Sequence, residues 1–599
     1  MDSFLPTTTK EVRHRGWDAI DVIIVTGDAY VDHPSFGTAI IGRVLEAAGF
    51  RVAVIAQPDF RNAADFKRLG RPRLFFGVTA GNMDSMVANY TAHKKPRMSD
   101  DYSPGGKAGL RPDYATIVYS NRIREVFKDV PIVLGGMEAS LRRFAHYDWW
   151  KNTVRRSVLL DSRADILVYG MGETPIVEIA RRLDTHASLA GIRGTAIVSK
   201  DISQEDFPEK PGMIVIPSHE DVAADPDKFN EAFRAIIENQ DPFRGCVIAQ
   251  KHANRFVVQY PPALPLHGTE LDQVYALPYA YAWHPSYDRQ GGVPGFETVR
   301  FSITSHRGCP GSCSFCGLSL HQGRIVQSRT ESSIVNEAIK MSQRSDFHGT
   351  IHDIGGPTAN LYGASCKKWQ GSGTCPKRHC LTPKPCKQLD PGLNKGLALY
   401  RKILGLPKVK HVFIESGFRH DLLIDARAQD YLQAICKDHV SGRMKVAPEH
   451  SSSHILALMN KPDFSTYEKF ATLYKSMCRK LHKDQFLVNY FISAHPGSTL
   501  DDALSLALQL NELGIYPEQI QDFMPLPMTL SGTIYYTGKD PFTGHPVYVA
   551  KSFRERKMQR ALIQYKNPKN APLVREALKI LGKEYLLPLL MPGKKPRPT

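Results

Sequence analysis

The chain has 599 residues, and its 77 Lys and Arg against 60 Asp and Glu give a formal net charge of +17. With 42% hydrophobic and 23% charged residues, the composition excludes a wholly disordered chain, and the length predicts several domains. No apolar run approaches the roughly 18 residues of a membrane helix, and no export signal is recognisable at the start. We therefore expect a cytoplasmic protein that crosses no membrane.

Residues 1–200 carry the pattern of an α/β domain. Apolar strands are predicted at 21–25, 51–55, 73–78, 131–134 and 165–169, with helical segments between them. Continuous apolar strands indicate a parallel sheet, so a doubly wound domain is expected. Glycines follow three of these strands, at Gly27, at Gly135 and Gly136, and at Gly170 and Gly172. Without a GxGxxG or P-loop motif, we interpret them as tight turns.

The rest of the chain divides into three predicted parts. Residues 201–295, rich in proline and aromatic residues, are interpreted as a wrapping connector. Within 296–537, strands predicted at 299–304, 350–354, 411–414, 444–447, 487–492 and 519–524 alternate with helices. This alternation predicts a partial or complete β/α barrel with its active site at the carboxyl ends of the strands. A cysteine-rich insertion at 364–390 interrupts the barrel, and a basic helical extension at 538–599 follows it.

Three cysteines form the strongest motif in the chain. Cys309, Cys313 and Cys316 have the spacing C-x3-C-x2-C and directly follow the first predicted barrel strand. Three thiolates rather than four leave one metal position of a bound cluster open for a substrate. His306 and Arg307 lie beside the loop, where positive charge would favour the thiolate form. Metal ligation by this loop is therefore expected.

The cysteine loop resembles the signature of radical S-adenosylmethionine (SAM) enzymes, and further motifs resemble the YgiQ family of these proteins. The motifs are Arg307-Gly-Cys309, Leu320-His-Gln-Gly-Arg324, Asp353-Ile-Gly-Gly-Pro-Thr-Ala-Asn360, Ile414-Glu-Ser-Gly-Phe-Arg419, Lys445-Val-Ala-Pro-Glu-His450 and Phe491-Ile-Ser-Ala-His-Pro-Gly497. The resemblance implies a 4Fe-4S cluster on Cys309, Cys313 and Cys316 that binds SAM through its fourth iron. It also implies a reductant such as flavodoxin or ferredoxin, and a cobalamin-binding-like N-terminal domain before a radical SAM barrel.

Further residues are assigned to SAM by the same resemblance. Gly355 and Gly356 stand where radical enzymes place the glycines that hold the amino group of SAM, although Pro357 replaces the acidic residue usual after them. Glu415, Ser416 and Glu449 end later strands and are implied ribose or methionyl contacts. The alternative for each is a capping or ion-pair role at the mouth of the barrel.

A second cysteine group lies in the insertion. Cys366, Cys375, Cys380 and Cys386 are accompanied by six Lys or Arg and no acid between 366 and 387. Four thiolates would hold such an irregular loop, and the basic side chains would offset their negative charge. Zinc and a second 4Fe-4S cluster are both compatible with the group, since the C-x2-C pair usual for zinc is missing. Four unligated thiols are the third alternative.

The N-terminal domain carries a broken cobalamin motif. Histidine-ligated corrinoids use D-x-H-x-x-G, whereas here Asp32 and His33 are adjacent and Gly37 follows four residues after His33. The domain either binds cobalamin without a histidine ligand or has kept the fold without the cofactor. We expect the second.

The positive charge is concentrated at the end of the chain, where residues 551–599 carry a net +10. This extension could neutralise RNA or a phosphorylated substrate, or it is a solvated helix pair packed on the barrel. The main hypothesis is thus a radical SAM enzyme. The alternatives are methyl or methylthio transfer to RNA or protein, and a metal-stabilised nucleic-acid-binding protein without enzymatic activity.

Overall fold

A computed structural model of the chain describes residues 3–203, 212–517 and 520–591. The first half contains the strands β1 (Val22–Thr26), β2 (Val31–Asp32), β3 (Val52–Ala56), β4 (Phe75–Thr79), β5 (Ile132–Gly135), β6 (His146–Asp148), β7 (Thr153–Arg155), β8 (Ile166–Val168), β9 (Thr195–Ser199), β10 (Met213–Ile216), β11 (Val247–His252), β12 (Arg255–Gln259) and β13 (Ala282–Trp283). Its helices are α1 (Thr9–His14), α2 (Gly37–Ala47), α3 (Ala64–Lys67), α4 (Ser85–Asn89), α5 (Ala115–Val126), α6 (Gly136–Leu141), α7 (Val158–Asp161), α8 (Glu173–Asp184), α9 (His219–Ala224), α10 (Pro226–Glu238), α11 (Gly268–Tyr275) and α12 (Pro294–Glu297).

Nine of these strands form one mixed sheet in the order β10-β11-β12-β9-β8-β5-β4-β1-β3. Five strands are parallel to one another, as expected: β3, β1, β4, β5 and β8. Beyond β8 the direction alternates, since β9 is antiparallel to β8, β12 to β9, and β11 to β12. The prediction of a parallel sheet is therefore correct for five strands only. Two residues join β11 to β12, a connection too short for anything but an antiparallel pair. The strands β10 to β12 come from the segment interpreted as a connector.

Helices cover both faces of the sheet because its parallel strands are apolar throughout. All five residues of β1 are buried. Ile23 and Val25 pack with α5 on one face, whereas Val22 and Ile24 pack with α2 and α8 on the other. The alternation of side chains along a strand produces this division. The carboxyl ends of the strands are left facing the second half of the chain.

The second half contains the strands β14 (Ser302–Thr304), β15 (His306–Arg307), β16 (Gln327–Ser328), β17 (Thr350–Ile351), β18 (Asp353–Gly355), β19 (His411–Val412), β20 (Arg443–Glu449), β21 (Phe486–Ser493) and β22 (Ile520–Asp522). Its helices are α13 (Leu318–Gln322), α14 (Glu331–Ser342), α15 (Leu393–Leu404), α16 (Gln429–Ala434), α17 (Ser453–Leu458), α18 (Phe464–Lys480), α19 (Leu500–Glu512), α20 (Leu530–Thr537), α21 (Phe553–Ile563), α22 (Ala571–Ile580) and α23 (Leu587–Leu590). Gln519, within the last predicted strand, lies outside the described residues.

Parallel pairing follows the chain order in this half. β14 pairs with β18, β17 with β19, and β20 with β21 and then β22, all in parallel. A parallel bridge between Phe418 and Val446 links the segment after β19 to β20. Strands occur at all six predicted positions, and helices connect them, as parallel neighbours require.

The C-terminal extension is docked on this half. α21 and α22 pack on α19 through an apolar cluster that includes Leu504, Leu562 and Leu578. Arg554 pairs with Glu576, and Lys583 pairs with Asp501. The basic residues Lys594, Lys595 and Arg597 lie outside the described residues. No helix in the described part of the chain is long and apolar enough to cross a membrane.

Candidate metal and S-adenosylmethionine site

The first cysteine group lies in a loop that follows β15. Gly308 has a φ of +83°, and a Cβ there would lie 2.1 Å from the carbonyl oxygen of Ile325, so only glycine fits. The amide of Cys309 donates to the carbonyl of Gly323 at 3.0 Å, and the amide of Cys316 donates to the carbonyl of Cys313 at 3.0 Å. These bonds fix the loop at both ends of the motif.

Two thiols of this loop lie beside Gly311. A Cβ on Gly311 would lie 3.3 Å from Cys309 Sγ and 3.9 Å from Cys313 Sγ. Burial, together with the neighbouring thiols, raises the pKa of Cys309 and raises that of Cys316 to about 12. A bound metal reverses this preference because its charge stabilises thiolates. Three closely spaced cysteines supply the soft thiolate donors that hold an iron-sulfur cluster.

The positive charge beside these thiols comes from Arg419, which the sequence analysis did not assign to the site. Arg419 Nη1 lies 3.9 Å from Cys313 Sγ, and Asp421 holds the guanidinium through two hydrogen bonds of 2.9 and 2.7 Å. Burial lowers the pKa of His306 to about 4, so it is neutral at pH 7, and Arg307 pairs with Glu173. The role expected of His306 and Arg307 toward the thiols is therefore not supported.

Gly355 and Gly356 lie at the end of β18, beside the strand that leads to the cysteine loop. The carbonyl of Gly355 accepts a hydrogen bond from the amide of Ser305 at 2.8 Å. A Cβ on Gly356 would lie 2.5 Å from the carbonyl oxygen of His306. The absence of a side chain at Gly356 thus lets this turn lie directly against His306, two residues before the loop.

Ser416 is held at the same place by Asp353. The carboxylate of Asp353 accepts hydrogen bonds from the amides of Glu415 and Ser416 at 2.9 and 3.1 Å, and from the hydroxyl of Ser416. Burial raises the pKa of Asp353, which these donors oppose. Asp353 could have been assigned to the site from the sequence because it begins the Asp353–Asn360 motif. Its hydrogen bonds to Ser416 could not have been predicted, because the two residues are 63 positions apart.

The carboxylates of the two predicted glutamates have partners of their own. Glu415 is half-exposed, and its carboxylate is 3.9 Å from His352 Nδ1. Glu449 is buried, with Lys461 Nζ 3.5 Å from its carboxylate and a φ of +68°. Burial raises the pKa of Glu449, and Lys461 opposes the shift. The structure brings Gly355, Gly356 and Ser416 together, whereas Glu415 and Glu449 have the ion-pair contacts weighed as the alternative.

A cavity of about 540 Å³ lies between the carboxyl ends of the N-terminal sheet and this site. It extends from a slot between the sheet and helices α2 and α8 to the glycines of β18. Its lining includes Ile41, Gly136, Gly170, His306, Arg307 and Ser416. The cavity is where the two halves of the chain meet.

The glycine-rich turns of the N-terminal sheet line this cavity. Gly135, Gly136, Gly170 and Gly172 all belong to its wall, so the interpretation as mere tight turns is incomplete. Gly27 has a structural role instead, since a Cβ there would lie 2.3 Å from the carbonyl oxygen of Ala80. The turns lie at the carboxyl ends of parallel strands, where such sheets bind ligands.

His33 is buried beside the cavity rather than in its wall. Its ring packs edge-on against Tyr281 and Phe296, and Nδ1 accepts from the amide of Ser35 at 3.1 Å. Burial lowers the pKa of His33 to about 3. Pro34 and Ser35 line the cavity, but the imidazole of His33 packs behind them. A role as axial ligand of a corrinoid is not supported by this placement.

The second cysteine group lies close to the first. Cys366, Cys380 and Cys386 belong to the same apolar cluster as Cys309, together with Ile325 and Val326. Lys368 Nζ lies 3.8 Å from Cys375 Sγ. Within residues 3–203, 212–517 and 520–591, no three His, Cys, Asp or Glu side chains are arranged as ligands of one metal ion. The ligands of a cluster bind different irons and need no such arrangement.

Comparison with known proteins places the chain in a class and then in a family. Residues 4–302 match the family described as Radical SAM N-terminal, and residues 518–597 match a domain of unknown function, DUF3362. A UPF0313 protein of Clostridium botulinum (strain ATCC 19397 / Type A) is 51% identical over 99% of this chain and 92% of its own length. One from Methanocella arvoryzae is 50% identical over 95% of this chain and 94% of its own length. The chain belongs to the UPF0313 family, which confirms the predicted YgiQ-type resemblance.

Two solved structures of the radical SAM methyltransferase TsrM from Kitasatospora setae are also similar. One, with tryptophan and a SAM analogue, has a TM-score of 0.47 and 16% identity, covering 85% of this chain and 74% of TsrM. The other, with cobalamin and a [4Fe-4S] cluster, has a TM-score of 0.48 and 14% identity, covering 94% of this chain and 100% of TsrM.

Proposed function

We propose that this protein is a radical SAM enzyme whose substrate binds in the cavity between its two halves. The observation that carries the proposal is the loop of three closely spaced cysteines, two of whose thiols lie beside Gly311, near the turn at Gly355 and Gly356. Arg307 before the cysteine loop and Leu318 after it line the cavity. The loop is therefore joined at both ends to the wall of the cavity.

Cys309, Cys313 and Cys316 would hold a 4Fe-4S cluster, and the turn at Gly355 and Gly356 would hold the amino group of SAM. When bound, the cluster supplies one electron for the reductive cleavage of SAM to methionine and a 5′-deoxyadenosyl radical, which abstracts hydrogen from a substrate. Arg419 stabilises the thiolates by its charge, and Asp353 fixes Ser416 at the ligand-facing turn.

The lining of the cavity indicates the chemistry of a substrate that would fit it. Its inner slot is lined by apolar side chains of the sheet and helices, including Ile24, Ile41 and Val168, while Arg307 and His321 lie nearer the loop. Arg307 Nε and Nη2 have no hydrogen-bond partner in the described part of the chain. A substrate with an apolar portion and an anionic group fits these features.

The test is cleavage of SAM by protein purified without oxygen and reduced with dithionite. The expected products are 5′-deoxyadenosine and methionine in equal amounts, measured by liquid chromatography and mass spectrometry. Iron and acid-labile sulfide should be present in equal amounts. Protein that contains iron and sulfide but forms no 5′-deoxyadenosine would contradict the proposed function, and protein without iron would contradict the assignment of the loop.

A further inference from the structure

The cysteine-rich insertion is a closed unit rather than a loose loop. At its base, the amide of Ser365 donates to the carbonyl of Asp390 at 2.9 Å, and the amide of Asp390 donates back at 3.0 Å. Inside it, the amide of Cys386 donates to the carbonyl of Cys380 at 2.8 Å. Trp369 and Leu381 are buried within it. An irregular segment of this length is folded only where something holds it.

Three thiols of the insertion pack together. Cys380 is buried, and Cys366 and Cys386 lie against the same apolar cluster. Arg324, outside the insertion, donates to the carbonyl of Arg378 within it at 3.4 Å. Lys368 adds an ammonium 3.8 Å from Cys375 Sγ. Thiols gathered under cationic side chains are the environment in which thiolates form and bind metal.

Two residues outside the insertion fix its position. The buried carboxylate of Asp241 accepts from the amide and the hydroxyl of Thr374, at 2.6 and 2.9 Å. On the opposite side, the hydroxyl of Thr382 donates to the side-chain oxygen of Asn460. Asn460 Nδ2 in turn donates to the carbonyl of Ser312, inside the first cysteine loop, at 2.8 Å. One side chain therefore joins the two cysteine groups.

The space between the two groups is apolar. Ile325, Val326, Leu361 and Leu422 are buried in the cluster that Cys309 and the thiols of the insertion share. Packed apolar side chains keep water out of the space between the two groups, which would keep the solvent reorganisation that accompanies electron transfer small.

The spacing favours a cluster over a zinc ion. Eight, four and five residues separate the successive cysteines, without a C-x2-C pair. Zinc gathers its thiolates at about 2.3 Å from one centre, hence about 3.8 Å apart. In the described part of the chain, no three cysteine side chains are close enough together to bind one metal ion. The thiols of a 4Fe-4S cluster sit on four different irons and lie farther apart.

We propose that Cys366, Cys375, Cys380 and Cys386 ligate a second 4Fe-4S cluster, which passes electrons to the first. A one-electron donor such as flavodoxin reduces the second cluster from the 2+ to the 1+ state. That electron then reduces the first cluster, and the second returns to 2+. No bond or proton changes in either step. The relay rests on the proposed function of the first loop, whereas the metal site of the insertion does not.

The experiment compares the Cys375→Ala/Cys380→Ala variant with Cys478→Ala, a buried cysteine of α18 outside both groups. Iron, sulfide and zinc are measured after anaerobic reconstitution of the full chain. We expect about eight iron atoms in the wild-type protein and the Cys478→Ala control. The Cys375→Ala/Cys380→Ala variant should keep about four, which also shows that it is folded. Unchanged iron in this variant, or one zinc ion in the wild-type insertion, would overturn the proposal.

The converse variant separates this proposal from the function of the first loop. Protein with Cys309, Cys313 and Cys316 all changed to Ala should retain about four iron atoms and lose all formation of 5′-deoxyadenosine. Its reduced cluster should give an electron paramagnetic resonance signal that SAM does not alter. A protein free of iron after this change would overturn the second site even where the wild-type protein cleaves SAM.

The relay is tested by changing the reductant. Dithionite is small and reaches the first cluster directly, whereas flavodoxin must dock at the surface. For the Cys375→Ala/Cys380→Ala variant, the ratio of flavodoxin-driven to dithionite-driven 5′-deoxyadenosine formation should fall below the ratio for Cys478→Ala. Equal ratios in the two variants would overturn the relay, independently of the iron content.

Discussion

The carboxylate of Glu173, at the start of α8, forms a buried ion pair with the guanidinium of Arg307, two residues before Cys309. Both side chains are almost fully buried and both line the cavity. The pair joins the N-terminal sheet to the cysteine loop across 134 residues of sequence. The position of the loop therefore depends on the N-terminal half.

Glu173→Gln should destabilise the protein. The change leaves the charge of Arg307 buried without a counter-ion, which costs about 3–5 kcal/mol in the free energy of unfolding. Thermal denaturation of the reconstituted protein measures the effect. Glu178→Gln on the same helix is the control, because Glu178 pairs with Arg182 at a partly exposed position, where an ion pair contributes about 0.3–0.5 kcal/mol. Equal losses of stability in the two variants would mean that the buried pair stabilises the protein no more than the exposed pair does.

Cys313→Ala should abolish cleavage of SAM. Cys313 is the middle thiol of the first loop, and its loss leaves two ligands for a cluster that needs three. The expected result is the loss of about four iron atoms together with all 5′-deoxyadenosine formation, as measured by iron analysis and mass spectrometry. Cys478→Ala should retain both. Cleavage that survives in Cys313→Ala would show that other cysteines hold the reactive cluster.

Gly356→Ala should weaken binding of SAM. Its Cβ would lie 2.5 Å from the carbonyl oxygen of His306 and 2.8 Å from the imidazole, so the turn must shift. Overpacking of this kind costs about 1–3 kcal/mol, which corresponds to about 5- to 150-fold in the dissociation constant. Equilibrium dialysis with the cluster-loaded protein measures it.

The matched control for this variant is Gly417→Ala. Gly417 follows Ser416, and a Cβ there has no neighbour within 4 Å in the described structure. Its affinity for SAM should equal that of the wild-type protein. A similar weakening in both variants would point to a general disturbance of the strand ends around Ser416 and against a role for the Gly356 turn.

Acid should destabilise the protein through buried histidines. Burial lowers the pKa of His450 to about 4 from an ordinary value of 6.5. Between these values the unfolded chain binds a proton that the folded chain does not. The stabilisation from neutral His450 is therefore fully present above pH 6.5 and is lost as the pH falls toward 4. The contribution of His450 is up to about 1.4 kcal/mol per pH unit in this range.

Denaturation midpoints at pH 7.5 and 5.0 measure this effect in His450→Asn. Asparagine keeps an acceptor for the amides of Ser451 and Ser452, which His450 Nδ1 accepts at 2.9 and 3.1 Å. The difference between the denaturation midpoints at the two pH values should be smaller in this variant than in the wild-type protein. His454→Asn, at an exposed position, should leave it unchanged, and the same shrinkage there would contradict the assignment to His450.

Local patterns predicted most elements but few of the contacts between them. The apolar runs predicted β1 and β3 because strands buried on both faces carry continuous apolar sequence. The antiparallel strands β9 and β12 were not predicted at all, and β12 lies in the segment that we interpreted as a connector. The spacing of Cys309, Cys313 and Cys316 predicted a loop that holds metal, because the three residues are adjacent in sequence.

The partners of that loop lie far away in the sequence, and this is why they were missed. Arg419 and Glu173 act on the loop through charges brought close only by the fold. Glu449 ends a strand, as expected, but Lys461 takes its carboxylate. The sequence predicts that a residue lies at the end of a strand, but the contacts of its side chain depend on how distant segments pack against it. The predicted roles of the second cysteine group remain proposals for experiment.

The backbone bonds between Ser365 and Asp390 give the insertion a narrow base. Because the two ends are paired as in a hairpin, the chain leaves β18 and returns toward α15 at nearly the same point. Loop length has only a weak effect on closure free energy. Residues of the insertion that contact nothing outside it can therefore change in number while the paired base keeps the ends of β18 and α15 in place.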